Sequence, residues 1–343
     1  MACLEPFVSI IVLNWNGLDF LEKCLQSLVC LDYANYEIIV VDNDSNDGSP
    51  EIVTKHFPDV KLIVNKRNLG FAGGNNVGIR ASKGDLIALV NNDISVDRKW
   101  LRELVTVAVS SERIGIVSGI VLQGGLARAR NIVWEAGKHA DPLTGSSWRL
   151  GFGESAEQVA KACVTDDIDF FSACAVLIKK QVIAKIGLLD EGYFLYGEDE
   201  DWSFCARRAG FTCELAPSAL SWHEGSASRK KVPLIGYYLF SQSAFILIFK
   251  QYPVASWFTT TFFRMIVLSV AEVLLYHRSK NYIQLRLASL AHVLLDFGEI
   301  MTARKRIKSI GKLHARIRFA EFLRIAKQSA NQRANPNEGR ELL

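Results

Sequence analysis

No CxxC pair occurs in this 343-residue sequence, although it has seven cysteines. Cys3, Cys24, Cys30, Cys163, Cys174, Cys205 and Cys213 are odd in number and scattered, and several sit in apolar runs such as "SACAVLI". That pattern argues against a disulfide framework and reads as reduced, buried thiols in a cytosolic compartment. Also missing are a P-loop lysine motif, HExxH, GxSxG and any internal repeat. The stretch "GFAGGNNVG" invites a dinucleotide reading, but it lacks the G-x-G-x-x-G spacing and does not follow the first strand. No basic segment precedes the first apolar run, Phe7–Leu13, which is only seven residues long. It reads as a strand and not as a signal peptide. Strong net charge is absent too, at +4, but the charge is uneven. From Ala303 to Leu343 there are eleven Lys/Arg against three Asp/Glu. A basic tail on a near-neutral body suits an anionic partner, membrane or nucleic acid.

What is present is regular alternation. "FVSIIVL" (7–13), "YEIIVVD" (36–42), "VKLIVN" (60–65), "DLIALVN" (85–91) and "IGIVSGIVL" (114–122) are apolar, β-branched runs. Between them lie helical patterns at 17–29, 49–57, 73–83 and 98–110. This predicts an α/β domain with a mainly parallel sheet flanked by helices. Residues 123–166 show little periodicity and read as an irregular insertion. A strand and short helix follow over 167–187, a helix opens at the acidic stretch, and 211–217 is a strand leading to "SALSWHEG".

From Pro233 the character changes, which places a boundary near residue 230: 1–122 and 123–230 as two halves of one domain, then a helical C-terminal region, 231–343. The run 254–276 is long enough to cross a membrane but is interrupted by Arg264 and Glu272, and 234–249 is short for a crossing. After Met301, Ile307, Ile310, Leu313 and Ile317 share one helical face with Lys/Arg elsewhere. Such a helix suits an anionic membrane surface, or equally packs on the preceding domain with a solvated basic face.

Ligands of open α/β sheets sit beyond the carboxyl ends of the strands. Here those ends carry "NWNG" (14–17), "DNDSNDGS" (42–49), "NKRNLGFAGGNN" (65–76) and "NNDISVD" (91–97). Four polar clusters on one edge exceed what turn chemistry needs. Farther on, "FLYGEDEDWSFCARRAG" places Glu198, Asp199, Glu200 and Asp201 in a row between aromatic residues. The acids complement the positive end of a helix starting near Gly197, at ~0.3–1 kcal/mol each. The aromatic flanks suggest partial desolvation, which raises a carboxylate's pKa and makes it a better base.

In this order and spacing, "VSIIVLNWNG", "VVDNDSNDGS", "NLGFAGGNNVGI", "LVNNDISVDRKWL", "DFFSACAVLIKK", "GLLDEGYFLYGEDEDWSFCARRAG" and "WHEGSAS" resemble the family 2 glycosyltransferases of GT-A fold. The resemblance spans roughly residues 7–228 and is strongest to bacterial rhamnosyltransferases of cell-surface polysaccharide synthesis. It implies a nucleotide-sugar site in which Asp42 accepts from a base N–H, with Asn14 and Asn16 beside base and ribose. Uracil and thymine offer that N–H and cytosine does not. Arg67, Asn68, Gly73, Asn75 and Asn76 would lie near the diphosphate, with Asn91 and Asn92 on the same edge. Asp93 falls in the metal-motif position, where many relatives have two carboxylates and this chain has Asn91 first. His223 matches a metal-ligating histidine of some members, so Mg2+ or Mn2+ is the expected cofactor. Asp199 would be the general base, with Glu198, Asp201 and Trp202 at the acceptor.

The resulting expectation is an inverting transferase moving a sugar, rhamnose from dTDP-rhamnose first, onto a lipid-linked saccharide at the cytoplasmic face of the inner membrane. A UDP-sugar donor (galactosyl, galactofuranosyl or GlcNAc) and a non-catalytic nucleotide-sugar-binding scaffold are the alternatives. A nucleotidyltransferase would need a Gly-rich basic signature after the first strand, which "NWNGLDF" lacks. Peripheral membrane contact is expected and nucleic acid is not; homo-oligomerisation is left open.

Overall fold

The apolar runs form neighbouring strands, as their burial on both faces requires. The structure is a computed structural model, and it describes residues 5–124, 131–162, 168–224, 233–270, 281–313 and 318. Strands β1 (Val8–Asn14), β2 (Tyr36–Asp42), β3 (Lys61–Val64) and β4 (Leu86–Asn91) are parallel, in the order β3-β2-β1-β4. Successive residues of a strand face opposite sides, so Ile10 and Ile11 enter different cores. One core is closed by α1 (Leu18–Val29), α2 (Ser49–His56) and, beyond β5 (Ile94–Val96), α4 (Trp100–Val109). The other is closed by α3 (Gly70–Ala81), α6 (Lys180–Ile186) and α7 (Glu198–Arg208).

Beyond β4 the sheet continues through β10 (Ala175–Lys179), β6 (Ile114–Gln123), β11 (Thr212–His223) and β5. β10 runs antiparallel to both β4 and β6, and β5 runs antiparallel to β11. The sheet is therefore mixed and mainly parallel. β11 extends past the expected end at residue 217, through a register break between Ala216 and Leu220 that accommodates Pro217.

The segment expected to be irregular, 123–166, is structured where described. β7 (Val133–Glu135) pairs with β6, and β8 (Lys138–Asp141) and β9 (Ser146–Arg149) form a hairpin. α5 (Ala156–Lys161) starts in a capping box, Ser155 with Gln158. These strands are three or four residues long and turn at left-handed Gly137, Gly145, Gly151 and Gly153, so no period could show.

The C-terminal region holds α8 (Pro233–Gln251), α9 (Val254–Phe262) running into a π-turn at Phe263–Val267, α10 (Asn281–Leu295) and α11 (Phe297–Ile310). Phe245, Ile248, Phe249, Tyr252, Val293 and Ile300 make a third core with Phe170 and Phe204. Among the described residues no helix is long and apolar enough to cross a membrane. The tail stripe takes the packing alternative: Ile307 is buried in the α6/α7 core, with Ile310 half-buried beside it. Ile317, the end of the 254–276 run and the expected boundary near 230 lie outside the described residues.

Candidate active site

The ends of β1, β2 and β4 are held by one polar knot. Asn14 and Asp42 are register partners on adjacent strands, and both are buried. Asn14 Nδ2 donates to Asp42 Oδ1 at 2.8 Å and to Ser49 Oγ at 2.7 Å, while its Oδ1 accepts from Asn92 Nδ2 at 2.8 Å. Asp42 Oδ2 accepts the Ser45 N–H at 2.8 Å. Asn16, left-handed at φ 49°, accepts the Asn46 N–H at 3.0 Å. The fold thus gathers Asn14, Asn16, Asp42 and Asn92, with the Asp42 carboxylate already organising its own loop.

Helix α3 packs closely on the strands and on the segment before α7. Asn68 Oδ1 accepts the Gly70 N–H at 2.8 Å, and the Phe71 N–H donates to the Phe194 carbonyl at 2.7 Å. A Cβ on Gly70 would sit 2.3 Å from that carbonyl. A Cβ on Gly74 would lie 2.4 Å from Leu13 Cδ1, and one on Gly78 2.4 Å from Ile11 Cγ2. These glycines let α3 lie close on β1. Gly73 is tight against Leu69, with 3.0 Å between Cβ positions. Asn75 donates to Phe71 O, and Asn76 donates to Leu189 O and Glu191 Oε1, both at 2.9 Å. Both asparagines are therefore spent on the protein's own backbone and side chains.

The two expected metal ligands do meet. β5 and β11 are antiparallel, with His223 opposite Ile94, and this brings His223 Nε2 to 3.3 Å from Asp93 Oδ2. Asp93 Oδ1 and His223 Nδ1 are buried without a hydrogen-bond partner. Buried polar atoms without partners are costly, so a cation at this pair fits the donor set. Among the described residues no group of three or more His, Cys, Asp or Glu side chains forms a metal cluster. Substrate oxygens would have to complete the shell, as hard divalent cations accept.

The acidic run opens α7 after two left-handed residues, Tyr196 (φ 73°) and Gly197 (φ 81°). Helical residues are set about 100° apart, so four consecutive acids point four ways. Glu198, Glu200 and Asp201 are buried; Asp199 alone of the four keeps partial exposure. Asp199 Oδ2 accepts the Ala173 N–H at 3.3 Å, and its Oδ1 the Glu200 N–H at 2.8 Å. The next carbonyl, Cys174 O, accepts the Asn91 N–H at 2.9 Å. One peptide segment therefore ties Asp199 to the β4 end that leads to Asp93. Burial raises the Asp199 pKa, and the Lys138 ammonium partly opposes the rise. Burial, then the Asp199 charge, pushes Glu198 well above the ordinary carboxylate range and Glu200 up to about 8. Asp201 and Trp202 lie on the buried side of α7. Lys250 Nζ and Gln251 Nε2 donate to the Asp201 carboxylate, each at 2.7 Å, and Trp202 Nε1 donates to Gly187 O at 3.0 Å. Both side chains are thus buried and engaged within the protein: Asp201 lies about 200° around the helix from Asp199, while Trp202, on a neighbouring face, packs inward against Gly187.

Residues 9–186 match the sequence profile of Glycosyl transferase family 2. The chain belongs to that family. Two curated relatives are glycosyltransferase AglE of Haloferax volcanii and the N-acetylglucosaminyl-diphospho-decaprenol L-rhamnosyltransferase of Mycobacterium tuberculosis. The first is 25% identical over 65% of this chain and 68% of its own length. The second is 22% identical over 67% and 80%. Among solved structures, the mannosyltransferase PcManGT from Pyrobaculum calidifontis, in complex with GDP-Man and Mn2+, superposes with a TM-score of 0.51 at 16% identity. The match covers 89% of this chain and 86% of that one, and it shows the GT-A fold.

Motif reading of this glycosyltransferase missed the contribution of the insertion. Glu135 accepts from the Ser172 N–H at 2.9 Å and Oγ at 2.8 Å, and pairs with Lys138 at 3.4 Å. Burial works against the Glu135 charge, but Lys138 and Ser172 hold its pKa below the ordinary value. Lys138 in turn faces Asp199 electrostatically. Trp134 meets the His223 ring edge-on at 5.8 Å, and the Arg149 guanidinium stacks on Trp134 at 3.8 Å. The only signal in the sequence was the density of aromatic and charged residues in "NIVWEAGKHA" and "SSWRLGF".

Proposed function

We propose that this family 2 glycosyltransferase is inverting and divalent-metal-dependent, with Mg2+ or Mn2+ held by Asp93 and His223. Its donor is a dTDP- or UDP-sugar, with dTDP-rhamnose the first candidate. Its acceptor is a lipid-linked saccharide at the cytoplasmic face of a bacterial inner membrane, in cell-surface polysaccharide synthesis. The observation that carries the reading is Asp199: the one carboxylate of four that reaches solvent, with its pKa raised, tied through Ala173 and Cys174 to the strand end before Asp93. The name of the mycobacterial relative supports rhamnose and a polyprenyl-linked acceptor.

In this reading Asp199 takes the proton of the acceptor hydroxyl as its oxygen bonds to the anomeric carbon. The bond from that carbon to the diphosphate oxygen breaks, and its electron pair leaves with the nucleoside diphosphate. A bound divalent cation supplies charge neutralisation at the departing diphosphate. Lys138 and Glu135 set the field around Asp199, and the Ala173 N–H fixes its orientation.

The test is release of nucleoside diphosphate from a panel of dTDP-, UDP- and GDP-sugars with Mg2+ or Mn2+ and a polyprenyl-diphosphate saccharide. Asp199→Asn is expected to lower turnover by about 10²–10⁴-fold while donor affinity stays within about twofold. An Asp199→Asn enzyme with normal turnover would move the base elsewhere. No release from any donor would refute the transferase reading.

A further inference from the structure

The outer surface of the C-terminal helices carries no exposed charged side chain over two long described stretches. Residues 233–270 and 281–295 contain three residues of the types Asp, Glu, Lys and Arg: Lys250, Arg264 and Arg286. All three are buried. Lys250 donates to Asp201, Arg264 to the Gly145 carbonyl at 2.8 Å, and Arg286 to the Arg264 carbonyl and Ser269 Oγ, both at 2.7 Å. Their place on the outside is taken by apolar groups. Twelve of the nineteen exposed large apolar side chains among the described residues fall between Leu234 and Leu295. A surface helix ordinarily turns its polar face to water. α9 and its continuation do the opposite: Val254, Phe258, Phe262, Ile266 and Val270, spaced by four, make an exposed stripe, with Phe258 80% exposed. Trp257 and Arg264 occupy the inner face instead, against Phe249, Phe297 and Gly145.

We propose that this face docks on an anionic phospholipid bilayer, lying in the interface plane without crossing it. Three observations select lipid over a protein partner. Among the described residues of 233–270 and 281–295 the outer face shows no exposed Asp, Glu, Lys or Arg, whereas a protein interface is rimmed by polar and charged groups. No described helix is long and apolar enough to span. Basic charge follows in the next helix: in 296–313, Lys305, Arg306, Lys308 and Lys312 are exposed against two carboxylates, Asp296 and Glu299, and the sequence stays basic to its end. Apolar burial plus basic residues is the two-part chemistry of interfacial helices on anionic lipid. The basic tail helix is thus not itself the apolar contact, since Ile307 is buried on the protein and Ile310 and Leu313 pack against it half-buried.

The face reaches the active-site side of the molecule. Phe240 of α8, exposed on its outer side, meets the Tyr196 ring edge-on at 5.9 Å, and Tyr196 precedes the turn that starts α7. This surface would present Asp199 to an acceptor anchored in the same leaflet; that purpose rests on the lipid-linked acceptor reading, while the docking does not.

The experiment is flotation of the full chain with vesicles of phosphatidylcholine alone and of phosphatidylcholine with about one third phosphatidylglycerol. The wild type should float with the anionic vesicles and far less with the neutral ones, and salt should weaken the binding. Phe258→Glu with Phe262→Glu should lower the partition at least about tenfold, with circular dichroism and melting temperature unchanged because both side chains point outward. Lys305→Glu with Lys308→Glu is a second variant and should weaken binding to the anionic vesicles only. Absence of flotation on either vesicle would overturn the proposal. So would equal flotation of the Phe258/Phe262 variant, or a concentration-dependent dimer that this variant abolishes. Vesicle binding without transfer from any donor would leave the docking intact and refute the catalytic reading instead.

Discussion

Replacing Lys250 by Met should expose how α7 is held. Lys250 Nζ lies buried between Asp190 and Asp201, 2.7 Å from Asp201 Oδ2. At that separation, and an effective dielectric near 20, the attraction is about 6 kcal/mol before desolvation. Removing one partner of a buried pair costs about 3–5 kcal/mol, because the other charge is stranded. Asp190 keeps a side-chain exposure of 36% and regains water, so most of the loss arises at Asp201, whose side chain is 5% exposed. The assay is urea unfolding followed by tryptophan fluorescence, at about pH 5 and pH 8. Burial already raises the Asp201 pKa and Lys250 opposes the rise, so the variant raises it further. A carboxyl group with a raised folded-state pKa binds a proton that the unfolded chain has released. Stability therefore falls as pH climbs from the unfolded value, about 3.9, through the folded one. The deficit of the variant should accordingly be small at pH 5 and full at pH 8. Adding Asp201→Asn, which keeps an acceptor for Gln251 Nε2, should restore at least half of it. A deficit under about 1 kcal/mol at pH 8, or one that Asp201→Asn does not relieve, would refute the reasoning.

Three further outcomes follow from the same geometry. Turnover should rise with pH through an apparent pKa above the ordinary carboxylate range, because Asp199 must lose its proton to act; Lys138→Met should move that inflection still higher, read from kcat against pH. Asp93→Asn or His223→Gln should weaken Mn2+ affinity by roughly 10–100-fold, measured by calorimetry with donor present. Gly74→Val should destabilise the fold by about 1–3 kcal/mol, measured by thermal melting, because its Cβ would meet Leu13 at 2.4 Å.

The sheet was legible because strands buried on both faces advertise themselves as apolar runs, and β1, β2 and β4 fall within a residue or so of where "FVSIIVL", "YEIIVVD" and "DLIALVN" place them. The insertion was not, since β7, β8 and β9 are only three or four residues long, too short for a period, and are fixed in part by contacts farther on, such as the Lys138 backbone meeting Phe170. At the site, Asp93 and His223 are 130 positions apart, and only the antiparallel seam between β5 and β11 joins them. Nothing local in "SWHEG" states that pairing; the family pattern did. The acidic run held more information than was drawn from it. Steps of 100° already place Asp201 about 200° from Asp199, whereas Trp202, only about 60° away, is drawn inward by its bond to the Gly187 carbonyl. The glycines of "GFAGG" carry a packing role that the sequence alone does not separate from phosphate binding, because close approach to a strand and close approach to a phosphate call for the same residue.

The contact between Phe71 and Phe194 changes the charge balance at the start of α3. A bare helix end offers an anion about half an elementary charge through its free N–H groups. In α3 the first two of about four such groups are engaged by Asn68 and Phe194, so part of that attraction is already met by the protein's own oxygens. In the proposed reading, the negative charge of a nucleotide diphosphate would then fall more heavily on a cation held by Asp93 and His223 and on Arg67, exposed beside Asn68. A cation there would anchor the donor as well as ease bond cleavage, and chelation should release the nucleotide sugar and not merely slow its reaction.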